Sequence, residues 1–343
     1  MTTLSLQSGV HLINRRDGFI QIGIHPESSV LVPESAAPLL ALLTGRHSRN
    51  EIIRQLSTEH FNNHEVNTLL DLLVTNNLVR VIADSSLRES VGDVHRINNV
   101  RANTSSSLTS DQRLTTEVSI YGAGRLGTLV ALMLSSHGFA RLRVFDSRPV
   151  TLADVSSWGA SRVDVGLRRD QVVATILTRM HKDISLRSLH TTTESSHRIA
   201  IICPDQPAEW PWFDPSSADH FMSAGVPHLL AGATSTCAAI SSVITPEDSS
   251  CLRCHYHALT DRDPQWPIVS LQLSNRPTQD LAPTPLLMST ALEVVSRVEL
   301  WSTTEVGRES SWTYVRWPGL GREEKAWGFH PGCGCQWSSQ LAA

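Results

Sequence analysis

The chain has 343 residues, with 29 Lys+Arg against 33 Asp+Glu and a formal net charge of −4. No bulk basic field exists to hold a phosphate backbone, so nucleic-acid binding is disfavoured. Apolar residues make up 41% and charged residues 18%, enough to bury sizeable cores, and the length predicts two domains. The N-terminal MTTLSLQSGVHLINRRDG has no apolar run after a basic start, so no signal peptide is expected. No long uncharged apolar run predicts a membrane span. A cytoplasmic protein is expected, with its six cysteines as thiols or metal ligands rather than disulfides.

The first domain is predicted at residues 1–85, its structured part running from about 8 to 82. Val10–Ile13 and Phe19–Ile24 read as strands joined by a turn over Asn14–Gly18. Pro33 to Thr44 reads as a short helix closed by Gly45. Ser48 and Glu51 form a capping box for a helix with Ile52, Ile53 and Leu56 on its apolar face. Val66, Leu69, Leu70, Leu72 and Leu73 mark a further helix, and Leu78–Ile82 a closing strand. A hairpin, helices and a closing strand make a small winged-helix-like α+β module. Residues 86–115 are polar, serine-rich and aperiodic, and read as a flexible linker.

Residues 116–343 change pattern. Strands are predicted at Val118–Tyr121, Leu142–Phe145, Arg198–Cys203, His228–Ala231 and Ala238–Ile244, with a helix from Leu126 to His137 ended by Gly138. Strands alternating with helices predict a Rossmann-like α/β domain, a mostly parallel sheet covered on both faces.

Gly122-Ala123-Gly124-Arg125-Leu126-Gly127 fits G-x-G-x-x-G, follows a strand and opens a helix. The free N–H groups of such a helix start attract an anion. Asp146 follows the second strand, where a carboxylate can accept from both ribose hydroxyls. The same glycine turn also serves packing alone, so the loop leaves open whether the pocket is filled.

Cys251-x-x-Cys254 and Cys333-x-Cys335 are two chelating pairs in turn-prone sequence. Four thiolates suit tetrahedral zinc, and a closed four-sulfur site is structural. His255, His257 and His330 are alternative ligands but read as surface residues. Cys203 and Cys237 read as buried small hydrophobes. Five of the nine tryptophans fall late, at Trp301, Trp312, Trp317, Trp327 and Trp337, where packing around the metal site is preferred over partner contact. No Ser/His/Asp elbow, H-E-x-x-H or G-x-x-x-x-G-K-[ST] motif is present.

The order GAGRLG, VFDSRPV, IICPDQ, then AGVPHLLAGATSTCAAISSVITPEDSSCLRC and a late cysteine pair resembles the ThiF/MoeB-type activating enzymes over about Glu117 to Gln336. That resemblance implies binding of ATP and Mg2+ and adenylation of a C-terminal carboxylate, of a peptide or of a ubiquitin-like or sulfur-carrier protein. It implies that Gly122, Gly124 and Gly127 line the nucleotide and that Asp146 holds the ribose. It implies catalytic roles for Asp205, on magnesium and the reacting phosphate, and for Arg169, at the place of a phosphate-binding lysine. The family's Asn-x-x-Arg segment is replaced here by Asp154 and Ser157. An anion added and a cation lost argue against ATP turnover unless Arg162, Arg168 or Arg169 compensates.

The N-terminal module and the ending HPGCGC resemble leader-peptide-binding proteins of ribosomal peptide modification, some of which work beside a YcaO-type cyclodehydratase. The implied partners are a precursor or carrier peptide, a YcaO-type enzyme and a second copy of the chain. Gly18–Gly23 is the candidate edge for an added peptide strand, and His64–Leu73 the candidate groove helix. A winged-helix repressor is disfavoured, because His64–Asn77 carries no Lys or Arg to meet phosphates.

Overall fold

The computed structural model describes residues 2–7, 10–24, 29–56, 62–76, 78–83, 110–180, 197–206, 210–278, 280–301 and 309–336. The chain divides into two compact units, Met1–Ser107 and Leu108–Ala343.

The first unit is α+β. Its strands are β1 (Thr2–Leu6), β2 (Leu12–Asn14), β3 (Phe19–Ile22), β4 (Val30–Pro33), β5 (Thr44–His47) and β6 (Val79–Ala83). Its helices are α1 (Ala37–Leu42), α2 (Arg49–Leu56) and α3 (Asn63–Thr75). Two antiparallel three-stranded sheets form, in the orders β2-β3-β4 and β5-β1-β6. Ile20, Ile22, Val30 and Val32 point inward at period two and meet Leu39, Ile52, Leu56, Val66, Leu70 and Leu73. The predicted capping box is present: Glu51 accepts from the Ser48 N–H at 2.7 Å, and Ser48 Oγ accepts from the Glu51 N–H at 3.4 Å.

Four expectations for this unit are corrected. Ordered structure starts at residue 2 rather than about 8, because Thr-Leu-Ser-Leu alternates and β1 is the middle strand of its sheet, with Leu4 buried. The helix expected from Pro33 to Thr44 is shorter, and Gly45, with φ +83°, lies within β5 instead of closing it. The candidate edge Gly18–Gly23 is not an edge: β3 is paired on both sides, and the terminal strands of that sheet, among the described residues, are β2 and β4. The apolar stripe of α3 is turned into the unit's own core through Val66, Leu70 and Leu73, leaving Leu72 exposed.

The second unit begins with α4 (Ser110–Thr115). The expected linker therefore ends earlier than residue 115, and its residues 86–109 lie outside the described residues. The elements that follow are β7 (Glu117–Tyr121), α5 (Arg125–Ser136), β8 (Arg141–Phe145), α6 (Arg169–Met180), β9 (Arg198–Ile202) and α7 (Asp219–Ser223). Then come β10 (His228–Ala233), β11 (Cys237–Ser241), α8 (Leu252–Arg262), α9 (Trp266–Ser274), α10 (Thr284–Trp301), β12 (Ser310–Arg316) and β13 (Gly321–Trp327).

One seven-stranded sheet runs in the order β13-β12-β11-β10-β9-β7-β8. The strands β8, β7, β9 and β10 are parallel, as the α/β reading expected. β11, β12 and β13 extend the sheet antiparallel, so the segment expected at Ala238–Ile244 does not continue the parallel set. One face packs on α5, α6 and α10 through Leu129, Val173, Leu177, Val294 and Val298. The other face packs on Phe221 and Leu252 and carries the cysteine pairs.

Helix α5 is apolar nearly all round because it lies between the sheet and α10. It ends in a Schellman turn. Gly138, at φ +95°, donates to Ser135 O, and Phe139 N–H donates to Leu134 O, both at 3.0 Å. Nucleotide-fold geometry thus follows from the sequence: a short buried strand, a glycine turn and a helix whose N-terminus faces the strand ends.

Candidate functional site

The glycine loop joins β7 to α5, and two of its glycines are fixed by contact. Gly122 has φ +103°, and a Cβ there would lie 2.0 Å from Cys203 O. A Cβ on Gly127 would lie 1.9 Å from Gly122 O. Both clashes are with backbone and cannot be relieved by a side-chain shift. Gly124 differs: its missing Cβ faces Asp205 Oδ1 at 2.9 Å.

The expected site residues Asp146, Asp205 and Arg169 converge beside this loop. Asp146 follows β8 and is buried, and its Oδ2 accepts from the Ala123 N–H at 2.9 Å. Asp205 follows β9. Arg169, the first residue of α6, is buried and donates from Nη1 to Asp205 at 2.8 Å and to Asp146 at 3.4 Å. Its other edge grips Asp154, with Nη2 2.8 Å from Oδ1 and Nε 3.1 Å from Oδ2. Asp154 also accepts from the Thr151 N–H at 2.7 Å, which seats it in a capped 3-10 turn. The Asp154 exchange therefore acts through Arg169, by neutralising it. Of the expected compensating cations, Arg168 is paired with Asp170 at 2.7 Å and Arg162 is exposed on its own turn.

Sequence reading missed Arg148. Its Nε and Nη2 donate to Asp146 at 2.8 and 2.7 Å, and its Nη1 donates to Asp205 at 2.9 Å. The signal available was the spacing Asp146-x-Arg148, which lets a carboxylate and a guanidinium meet across one turn. Burial pushes the Asp146 carboxyl up, but the Arg148 hydrogen bonds and the Ala123 N–H outweigh it and hold it at about 2. Arg169 is pushed down by burial, but Asp205 and Asp154 outweigh this and raise it above its ordinary value. A cavity of about 20 Å³, lined by Gly124, Arg125, Asp205, Gln206 and Asp280 among others, has room for one water-sized group. Arg125 crosses it to Asp280 at 3.1 Å.

On the other face of the sheet the four cysteines meet. Cys251 caps the N-terminus of α8 and Cys254 lies in its first turn, while Cys333 and Cys335 follow β13. The sulfurs stand 3.8 Å (Cys251–Cys254), 3.5 Å (Cys251–Cys333) and 3.4 Å (Cys254–Cys335) apart, and all four lie within 4.8 Å of one another. A tetrahedral zinc with Zn–S bonds of about 2.3 Å sets sulfurs at roughly this spacing. The donor set fits zinc and leaves no coordination position open.

Second-sphere contacts rigidify this cluster: Trp327 Nε1 donates to Cys251 O at 3.0 Å, and Ser250 Oγ donates to Trp327 O at 2.7 Å. The histidines considered as alternative ligands are engaged elsewhere. His255 packs on Trp327, and His257 stacks on His330, which pairs with Asp261 at 2.8 Å. Trp312 and Trp327 are buried in the cluster's apolar shell; Trp337 lies outside the described residues. Cys203 and Cys237 are buried too, and burial pushes the Cys203 thiol up to about 12, far from a nucleophile's range.

A parallel Rossmann-like half-sheet with a glycine loop, extended by antiparallel strands and closed by a four-cysteine cluster, defines the class: a nucleotide-binding-type α/β protein. Residues 100–295, more than half of the chain, match the ThiF family, and the chain belongs to it. Solved structures extend the likeness to the whole chain. E. coli MccB, in a crystal structure with AMPCPP and MccA, is 15% identical, with a TM-score of 0.61 over 98% of this chain and 99% of that one. The microcin C7 biosynthetic enzyme MccB in complex with N-formylated MccA is 15% identical, with a TM-score of 0.60 over 98% and 100%. The heterocyclase TruD is 12% identical, with a TM-score of 0.60 over 98% of this chain and 43% of TruD. At these identities the likeness is one of fold. No curated protein matches the chain. Among the described residues no helix is long and apolar enough to cross a membrane.

Proposed function

We propose that the chain binds a precursor peptide and supports its modification by a partner enzyme in peptide natural-product biosynthesis. The observation that carries this reading is a sheet edge in the first unit that, among the described residues, has no further strand paired to it. β4 is terminal in its sheet, alternates buried Val30 and Val32 with exposed Leu31, and offers its outer backbone groups to an added strand. Exposed Ile13 and Leu31, on either side of half-buried Gln21 in the same cross-strand row, lend apolar side chains to the same surface. The likeness to MccB over both units, in crystals that hold MccA, supports a peptide ligand, and the likeness to the heterocyclase TruD supports a role in peptide modification. In this reading the ThiF-family unit is a frame stapled by structural zinc, and a YcaO-type enzyme supplies the ATP chemistry.

Fluorescence anisotropy with the short peptides encoded beside the gene tests it. Binding that weakens in Leu31→Asp supports the assignment. No measurable affinity for any of those peptides removes it.

A second reading is favoured by the intact glycine cradle and the convergence of Asp146 and Asp205: an adenylyltransferase acting on a C-terminal carboxylate. Exchange of labelled pyrophosphate into ATP in the presence of a candidate acceptor tests that alternative.

A further inference from the structure

The residues around the glycine loop do not fit the ATP expectation as they stand. Asp146 has about four acceptor positions. Its Oδ1 accepts from Arg148 Nε at 2.8 Å and from the Arg148 N–H at 3.1 Å, and its Oδ2 from the Ala123 N–H at 2.9 Å and Arg148 Nη2 at 2.7 Å. No lone pair is left for two ribose hydroxyls. Asp205 is likewise engaged, its Oδ2 accepting from Arg148 and Arg169 at 2.9 and 2.8 Å. Its other oxygen lies against Gly124, where a bound phosphate would otherwise approach the backbone.

We propose that Arg148 is an internal ligand of this site and that, with Arg169, it closes the nucleotide pocket from within. The backbone holds the pair in place. Arg169 N–H donates to Arg148 O at 3.0 Å, and Pro149 bridges Arg168. The two guanidiniums therefore arrive together at the ends of β8 and β9. They meet three carboxylates, Asp146, Asp154 and Asp205, so three negative charges against two positive leave the cluster at −1. A triphosphate would have to break the Arg–Asp forks and then face that excess. What remains is a salt-bridge lock joining the second and third parallel strands to the start of α6. This inference deepens one clause of the proposed function, that ATP chemistry lies outside this chain; peptide capture does not depend on it.

Titration calorimetry of the full chain with Mg-ATP tests the lock. The wild-type chain is expected to bind more weakly than about 1 mM, and a Kd at least tenfold below that overturns the inference. Arg148→Gln frees Asp146 but takes the cluster to −2, whereas Arg148→Gln with Asp154→Asn frees Asp146 at an unchanged −1 and releases Arg169 from its neutralising anion. At least one of the two is expected to gain about tenfold or more in Mg-ATP affinity. No gain in either overturns the assignment of Arg148. If neither variant folds, the wild-type titration decides alone. Anisotropy with the precursor peptide on the same samples separates this result from the fate of the peptide-binding reading.

Discussion

The guanidinium of Arg169 is clasped by the carboxylate of Asp154, Nη2 to Oδ1 at 2.8 Å and Nε to Oδ2 at 3.1 Å, with both side chains less than a tenth exposed. A pair this deeply buried has paid its desolvation cost, so the outcome of a substitution depends on what is left behind. Asp154→Ala leaves Arg169 with Asp205 and Asp146 but strips its best-aligned partner, and stability should fall by about 3 kcal/mol or more. Asp154→Asn keeps one acceptor oxygen and should fall by roughly half as much. Urea denaturation midpoints of the two variants check the order; equal losses would mean that charge and hydrogen bonding do not both matter there.

The four-sulfur cluster predicts one zinc per chain by elemental analysis and a tetrahedral thiolate spectrum on cobalt substitution. The cluster ties the start of α8 to the segment after β13, far apart in sequence. Cys254→Ser should therefore lose the metal and destabilise the second unit by several kcal/mol, on the order of the coupling seen for structural zinc sites. Folded protein without metal, at unchanged thermal midpoint, would refute the staple.

How much of this was legible from sequence differs by element. The glycine loop, Asp146 and the cysteine pairs were readable because each is a short motif whose chemistry demands those residue types at that spacing. β9 and β10 were readable because burial on both faces makes them near-continuous apolar runs. β13 was not, since its Gly-Arg-Glu-Glu-Lys run is polar on both faces of an edge strand and carries no apolar period. The Arg148–Asp205 and Arg169–Asp154 contacts were hidden for another reason: they join residues 57 and 15 positions apart, and only the folded sheet brings them together. The strand misread as an edge, β3, failed because the third strand of its sheet, Val30–Pro33, is too short to announce itself.

Glycine at 122 is required by two constraints at once, a φ of +103° and a Cys203 carbonyl 2.0 Å from any Cβ. Gly122→Ala should destabilise the second unit by about 4 kcal/mol or more, an effect reserved for backbone clashes and similar faults. Gly319→Ala, where nothing lies within 4 Å of the added methyl, should change stability by less than about 0.5 kcal/mol. Circular-dichroism melts of both variants make the comparison.

His228 opens β10, is fully buried, and uses Nδ1 on Val226 O at 3.0 Å while its Nε2 has no partner. Burial pushes its pKa below the ordinary value of 6.5, and the Val226 hydrogen bond offsets this only in part. The folded state therefore holds His228 neutral where the unfolded chain would take up a proton. Its contribution to stability is complete above about pH 6.5 and is lost as the pH falls from there toward the folded pKa, at no more than about 1.4 kcal/mol per pH unit. Asp146 acts in a lower window, its contribution present above the ordinary 3.8 and lost as the pH falls to about 2. Urea midpoints between pH 7.5 and 5.5 leave the aspartate ionised throughout; His255, which burial holds at about 4, adds its own slope in that window, so the difference between wild type and variant reports His228. His228→Phe, which fills a similar volume without a titrating group, should flatten the slope in that range; an unchanged slope would assign it to another group.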